Sequence, residues 1–467
     1  MTAAAPRVVP AGRAEPGAAD PGERRGTSPA VWLPAFVLLS AAVLTMLVMR
    51  EDPPLDLRVY TGGVRALLEG DNVYNLTYTS SQLTFTYPPF ALLAFLPMAW
   101  VSPWLGSALT LLVSIACVAF LLHVALGRAG VGVVVATVML VAAMAAEPVW
   151  LTLHFGQVNL ILAALITADL ATGRDRWWRG VGLGIAAGIK LSPLTFLAWL
   201  LLTRQWRAAA VATGTFVATI GVSFVVTPGT ARAFWLDTLP ASAGGEPNHM
   251  SDAIAHSMPK EYLGNQSVMG FMSRWFGPDT DAATLAWLLV GGVVSVAIVA
   301  VGAWLTLHGE RVLGFFVASL AVVVASPIAW THHWVWAVPL VVALWESAPR
   351  VAPLLRLKAA HLQALAAVVA VVLVADAHWW APARRMQELD WNPLQMIVGN
   401  DYLLMFLLLL AVLGAGVLRG GPLTAWRAAP AGAQGAGVAG PTASRPAVAG
   451  QSPVTSASGT SSASRMR

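Results

Sequence analysis

The chain has 467 residues, of which 57% are hydrophobic and only 11% charged, with a mean hydropathy of +0.68. Soluble globular proteins carry roughly 25% charged residues, so the composition argues against a soluble enzyme and implies an all-α polytopic membrane protein. The single cysteine, Cys117, rules out a disulfide within the chain and lies in an apolar run as a packing residue. The net charge of +5 is spread unevenly, and that unevenness orients the chain.

Residues 1–30 are rich in Ala, Pro and Gly and carry Arg7, Arg13, Arg24 and Arg25. They read as a disordered cytoplasmic tail. No short apolar stretch precedes a small-residue cleavage site, so no removed signal peptide is expected. The first span follows at about 31–49. Residues 50–87 form a polar loop with five acids against three bases, placed outside the cytoplasm. Within it, 56–69 predicts a short helix on the membrane surface, ended by Gly70. The long apolar stretch 88–126 breaks between Pro97 and Pro103. Further apolar runs cover about 131–147, 157–172, 180–203, 208–227, 283–306, 311–326, 334–347, 359–376 and 401–418. About 12 spans are expected, several of them tilted, broken or re-entrant.

Arg174, Arg176 and Arg179 mark one cytoplasmic loop, and Arg204 and Arg207 another. Both lie inside if 180–203 goes out and returns, turning near Lys190-Leu191-Ser192-Pro193. The alternative is one 24-residue span that leaves three arginines outside. Arg311, Arg350, Arg356 and Lys358 are placed inside. The loop 228–282, with six acids against three bases, is placed outside. Residues 31–418 thus form the membrane domain. Residues 419–467 contain no acid, carry Arg419, Arg427, Arg445, Arg465 and Arg467, and read as a second disordered cytoplasmic tail.

On this topology the polar motifs converge on the outer face. Asp56, in Asp56-Leu57-Arg58-Val59-Tyr60, is either a solvated loop acid or a general base for an acceptor hydroxyl. Tyr87, in Phe85-Thr86-Tyr87-Pro88-Pro89-Phe90, belongs to a rigid helix entry and is a candidate hydrogen-bonding lining group. Gln157 and Asn159 follow Glu147-Pro148 and His154-Phe155-Gly156, and either bind sugar hydroxyls or cap the next helix. Lys190 lies between apolar helices, where a lysine is costly unless paired or at a surface. It either contacts an anionic phosphate or snorkels to the interface. His249, His256, Asn265 and Gln266 lie in a polar stretch suited to an acceptor-binding flap, and the histidines lack metal-ligand spacing. In Trp330-Thr331-His332-His333-Trp334-Val335-Trp336, adjacent helical positions point about 100° apart. One histidine is therefore expected to line a site and the other to pack or cap. No P-loop, no GxGxxG and no soluble domain able to hold a nucleotide is present.

In this order and spacing, the motifs resemble glycosyltransferase family 87. They are Asp56-Leu57-Arg58-Val59-Tyr60, the Phe85–Phe90 hexapeptide, Gly156-Gln157-Val158-Asn159, Lys190-Leu191-Ser192-Pro193, Gly264-Asn265-Gln266-Ser267, and Ser326-Pro327 through Trp336. The likeness is greatest to its polyprenol-phosphate-mannose-dependent α-(1→2)-mannosyltransferases. It spans about 55–340, and 350–420 add little. The resemblance implies a GT-C fold in the plasma membrane with its site open to the extracytoplasmic side. It also implies a polyprenyl phosphomannose donor, a mannosylated phosphatidylinositol or lipomannan-type glycolipid acceptor, and inverting transfer. Asp56 or a histidine of the His332/His333 pair takes the catalytic base role. Lys190 and Tyr87 face the donor phosphate. Gln157, Asn159, Asn265, Gln266 and Trp330 bind sugar or acceptor. His154 replaces a residue that is often acidic in such relatives, which puts a role for that position in doubt. No metal, no cofactor and no nucleic acid partner is implied; membrane lipids are. The alternatives are a polyprenyl-phosphoarabinose-dependent arabinofuranosyltransferase, within the family, and a lipid or glycan transporter. A transporter is expected to show an internal repeat, and none is visible.

Overall fold

The computed structural model describes residues 26–171, 176–240, 259–383 and 386–420. His249 and His256 lie outside the described residues, as do the two expected tails apart from 26–30 and 419–420. Among the described residues the regular structure is helical, with two isolated bridges, Thr77 to Thr84 and Asn265 to Trp330.

The first apolar helix begins at Pro29, earlier than the composition shift suggests, because the Ser28 side chain accepts from Ala30 N and caps it. It continues as α1 (Leu33–Val48). Helix α2 (Leu55–Glu69) is amphipathic and stops where Gly70 takes φ +84°, as expected for a surface helix ended by that glycine. Next come α3 (Pro89–Phe95), α4 (Pro103–Leu126), α5 (Val133–Ala145) and α6 (Glu147–Phe155). The break before α4 falls in the expected proline segment, and Ser102 caps the new helix. Helices α5 and α6 bend by 68° where Pro148 enters the first turn of α6. They are followed by α7 (Asn159–Leu170), α8 (Val181–Ile189), α9 (Thr195–Leu202) and α10 (Trp206–Val226). The second half contains α11 (Val268–Phe276), α12 (Gly292–Leu307), α13 (Arg311–Ser319), α14 (Ala337–Leu354), α15 (Ala359–Ala375) and α16 (Asp401–Gly420).

Six of the described helical stretches are long and apolar enough to cross a membrane, or seven if the bent α5–α6 pair is one span, and five further apolar helices are shorter. The expected twelve spans therefore require the shorter helices to cross as well. Val37 and Leu38 on α1, Val217 and Val225 on α10, and Val293 and Val296 on α12 are exposed. Apolar surface of this kind suits lipid contact. The protein is a multi-pass membrane protein.

The segment 180–203 reverses. Helix α8 ends at Lys190, whose backbone is extended, and a tight turn at Ser192–Leu194 precedes α9. Gly180, Gly184 and Gly188 of α8 pack in register against Ala208, Ala212 and Thr219 of α10. Numbers rise together on both helices, so α8 and α10 run parallel and the chain between them returns to its start. Arg179 closes that base by donating to Gln205 Oε1 at 2.9 Å. Close approach of small residues is how apolar helices associate where no hydrophobic force separates them from lipid.

A Cβ at Gly184 would lie 2.6 Å from the Ala212 carbonyl oxygen. Gly184→Val is expected to destabilise the protein by roughly 1–3 kcal/mol through overpacking. That loss would read as a lower Tm of the detergent-solubilised protein. Gly214→Ala, whose added methyl meets open space, is expected to leave Tm unchanged or raise it.

Candidate active site

One cavity of about 810 Å³ lies among α2, the 81–88 segment, α6, α7, the Lys190 turn and residues 326–336. Asp56, Tyr87, Gln157, Asn159, Lys190, Trp330, His332 and His333 all line it. Among the described residues, Asp56 and Lys190 are the only lining residues with a formal charge.

Asp56 stands in the first turn of α2, with Tyr60 one turn later on the same face. The Tyr60 hydroxyl lies 3.0 Å from that of Tyr87 and donates to Gln157 Oε1 at 2.9 Å; Tyr87 reaches the same oxygen at 3.4 Å. Stacking of Tyr60 on Phe95 and its edge contact with Tyr87 lock this cluster. Gly156, at φ +70°, turns the chain between α6 and Gln157, and a Cβ there would lie 2.8 Å from Pro54 Cβ. Only glycine lets the Gln157 segment come this close to the start of α2. Burial pushes the Asp56 carboxyl up to about 6, against hydrogen bonding from Gln157 and the charge of Lys190, which both favour the ionised form.

Neither Gln157 nor Asn159 caps α7; that helix has no side-chain cap. Asn159 bridges instead. Its Nδ2 donates to the His332 carbonyl at 3.2 Å, and its Oδ1 accepts from Lys190 Nζ at 3.0 Å. Thr152 Oγ1 donates to the same His332 carbonyl at 3.1 Å. Lys190 Nζ also lies 3.3 Å from His333 Nε2. An ammonium can only donate, so this contact makes Nε2 the acceptor and leaves the proton on Nδ1. His332 Nε2 is buried and has no hydrogen-bond partner among the described residues.

Two expectations about this region need correcting. Both histidines line the cavity, where one was expected to pack or cap. Thr331–Trp336 is a 3₁₀ turn, in which adjacent positions point about 120° apart, yet the two long side chains meet edge to face with ring centroids 4.7 Å apart, so both reach the same cavity. Asn265 and Gln266 do not reach the cavity. Asn265 Oδ1 accepts from Ala329 N at 3.0 Å, and Gln266 Nε2 donates to the carbonyls of Leu263 and Gly399. Arg274 donates to the Asn265 carbonyl and to the Asn400 side chain. Both amides are fully buried and hold the backbone that presents Trp330, one layer behind the wall.

Sequence reasoning missed Tyr262 and Trp379, which also line the cavity. His154 is absent from the lining; its Nδ1 lies 3.3 Å from Arg50. The arrangement offers a half-buried carboxylate able to take a proton and an ammonium able to hold an anion. Uncharged amides and aromatic rings lie between and beside them. Among the described residues no group of three or more His, Cys, Asp or Glu side chains could hold a metal ion.

A family model described as Glycosyltransferase family 87 matches residues 85–330. The matched stretch holds Tyr87, Gln157, Asn159, Lys190 and Trp330, while Asp56 and the histidine pair lie just outside it. A polyprenol-phosphate-mannose-dependent alpha-(1-2)-phosphatidylinositol pentamannoside mannosyltransferase of Mycolicibacterium smegmatis is 33% identical over 66% of this chain and 73% of its own length. A polyprenol-phosphate-mannose-dependent alpha-(1-2)-phosphatidylinositol mannoside mannosyltransferase of Mycobacterium tuberculosis is 30% identical over 62% and 70%. An alpha-(1->3)-arabinofuranosyltransferase of Corynebacterium glutamicum is 26% identical over 58% and 62%. Among solved structures, ArnT from Cupriavidus metallidurans bound to undecaprenyl phosphate aligns with a TM-score of 0.35 and 17% identity, over 84% of this chain and 78% of that one. With more than half of its length matched by the family model and a third of the aligned residues shared with a mannosyltransferase, the chain belongs to glycosyltransferase family 87 and is a membrane glycosyltransferase.

Proposed function

We propose that this enzyme moves mannose from polyprenyl phosphomannose to a mannosylated phosphatidylinositol or lipomannan-type acceptor, with inversion, forming an α-(1→2) linkage. The observation that carries the reading is the charge inventory of the cavity: among the described residues that line it, one carboxylate, Asp56, and one ammonium, Lys190, are the charged groups. Inverting transfer from a sugar phosphate needs one group of each kind. Asp56 takes the proton from the acceptor hydroxyl as its oxygen attacks the anomeric carbon. The bond from that carbon to the phosphate oxygen breaks, and the phosphate leaves with the electron pair. Lys190 stands where the new negative charge collects. Leu151, Leu162, Ile166 and Val322 give the same cavity an apolar wall, suited to the first isoprene units of the donor. Anchoring that remote tail orients the anomeric carbon.

The names of the relatives support mannose as the donor sugar and phosphatidylinositol mannosides as acceptors. The arginine distribution supports a plasma-membrane enzyme with both termini in the cytoplasm and the cavity open to the outside.

The test is transfer by the purified protein in nanodiscs, offered polyprenyl phosphomannose, polyprenyl phosphoarabinose or GDP-mannose with a mannosylated phosphatidylinositol. Transfer from the lipid-linked mannose alone is expected; transfer only from lipid-linked arabinose would overturn the sugar assignment. Asp56→Asn is expected to lower kcat by roughly 10²–10⁴-fold, the range a general base contributes, while donor affinity is retained. Turnover near wild type in that variant would remove Asp56 from the base role. Lys190→Met is expected to lower kcat/KM by about 10²–10³-fold, comparable to loss of one oxyanion donor.

The pH dependence follows from Asp56. The active form is the carboxylate, and the folded group ionises at about 6. Activity is therefore full above that value and is lost as pH falls through it. On the acid limb kcat/KM is expected to drop about tenfold per pH unit. In the transfer assay, a limb centred near the ordinary carboxylate range of about 4 would show that the buried environment of Asp56 does not control the rate.

A further inference from the structure

Lys190, His333 and Asp56 supply the charged and titratable groups of the cavity lining, and three further lining residues supply aromatic rings. The Tyr262 ring centroid lies 6.1 Å from that of Trp330 and 6.4 Å from that of Trp379, and all three residues line the cavity. Trp330 directly precedes Thr331, His332 and His333, so one end of the row of rings is joined through the backbone to the histidine pair. We propose that Tyr262, Trp330 and Trp379 form a stacking platform for the pyranose rings of the acceptor, and that a buried cluster built on Glu147 holds Trp379 in place for it. The acceptor role rests on the transfer reading given above; the affinity for pyranosides does not.

Trp379 comes from residues 376–380, a part of the chain that carries little of the family resemblance. It is 44% exposed, so its ring is open, yet it is not free to turn. Its Nε1 donates to Glu147 Oε1 at 2.9 Å. Glu147, at the start of α6, is fully buried, and its other oxygen accepts from the Tyr402 hydroxyl at 2.9 Å and lies 3.1 Å from His378 Nε2. His378 Nδ1 lies 3.1 Å from Asp401 Oδ1, at the start of α16. The histidine thus sits between two carboxylates. Burial alone would push it down, but the two carboxylates, Asp401 accepting from Nδ1 and Glu147 close to Nε2, overcome that and raise it to about 9, so it is an imidazolium at neutral pH.

A buried charged cluster is a poor way to gain stability, since apolar packing of the same volume does as well or better. Here it ties α6, the 376–380 segment and α16 together and ends on the edge of one cavity-lining indole. A charge-assisted bond to the indole N–H sets the ring plane; His378 packs against the ring with centroids 5.1 Å apart, and the rest of the ring is open to the cavity. An aromatic face open to a cavity suits the C–H face of a hexopyranose. Three such rings in a row suit an acceptor with more than one sugar. An isoprenoid chain is the competing occupant, and the experiment separates the two.

The probe is octyl α-mannobioside, with affinity measured by calorimetry on the full-length protein in nanodiscs. Steady-state KM for the same acceptor and for polyprenyl phosphomannose is measured alongside. Trp379→Ala is expected to weaken mannobioside binding and raise the acceptor KM by roughly 10- to 30-fold, as for loss of a central aromatic contact, with the donor KM within about twofold. Trp379→Phe keeps a ring but loses the bond to Glu147, and is expected to fall between Trp379→Ala and wild type. Trp380→Ala removes a more exposed indole that does not line the cavity and is expected to match wild type. Wild-type affinity in Trp379→Ala, a rise in donor KM instead of acceptor KM, an equal effect from Trp380→Ala, or no mannobioside binding by the wild type would each overturn the platform. Mannobioside binding that depends on Trp379 without transfer from polyprenyl phosphomannose would overturn the donor assignment alone.

Discussion

A lysine ammonium inside an apolar helix bundle must find ligands, and the cavity is arranged around that requirement at Lys190. Its hydrogen-bond partners are Asn159 and His333, both uncharged. Asn159 can serve only because α7 begins with it, and its other end is committed to the His332 carbonyl. One side-chain amide therefore joins three pieces of chain: the start of α7, the break after α8, and the turn ahead of α14. The break follows from the same need. A straight helix through 180–203 would carry Lys190 along an unbroken apolar surface, whereas the reversal ends α8 at the lysine and lets Nζ reach across. Gly180, Gly184 and Gly188 make the reversal compact by letting α8 lie directly on α10.

Asp56 is held by a separate device. The Tyr60–Tyr87–Gln157 cluster uses hydroxyls and an amide, with no opposing cation in contact with the carboxylate. A directly ion-paired aspartate would be a weak base, because a close cation favours the ionised form. The charge of Lys190 reaches Asp56, but its ammonium is engaged with Asn159 and His333. Burial then leaves Asp56 ionising at about 6, poised to accept a proton near neutral pH. Tyr60 and Gln157 orient the site without altering its charge.

Much of this was readable in the sequence because local chemistry and tertiary role coincide there. The 56–69 helix announces itself by its amphipathic pattern and Gly70, and the reversal by Pro193 and the flanking arginines. Asp56 and Lys190 stand out because charge is scarce in a chain with 11% charged residues. Asn265 and Gln266 misled for the opposite reason. A polar residue in a polar loop reads as ligand-facing, but these two are fully buried and satisfy backbone groups near residues 263, 329 and 399, contacts that no local pattern encodes. The histidine pair was misjudged because the direction of adjacent backbone positions does not decide where two long rings end, and here the rings meet edge to face. Trp379 was invisible among twenty tryptophans. Only its bond to Glu147, 232 positions away, separates it from an interfacial indole.

On the proposed reaction, the presence of one acid and one cation has a further consequence. A phosphodiester donor brings one negative charge into a cavity whose described lining already holds one of each sign. As the acceptor hydroxyl attacks, its proton neutralises Asp56 while the departing phosphate gains a second negative charge. The total charge inside the low-dielectric cavity does not change; it moves from the carboxylate to the phosphate. Reactions that create net charge in such a medium pay the full desolvation cost, and this one does not. The movement is favourable only if the destination is better stabilised than the origin. Lys190 lies at the destination, and burial destabilises the carboxylate at the origin. Each therefore acts more strongly on the transition state than on the bound substrates, which is the condition for raising kcat rather than only tightening binding.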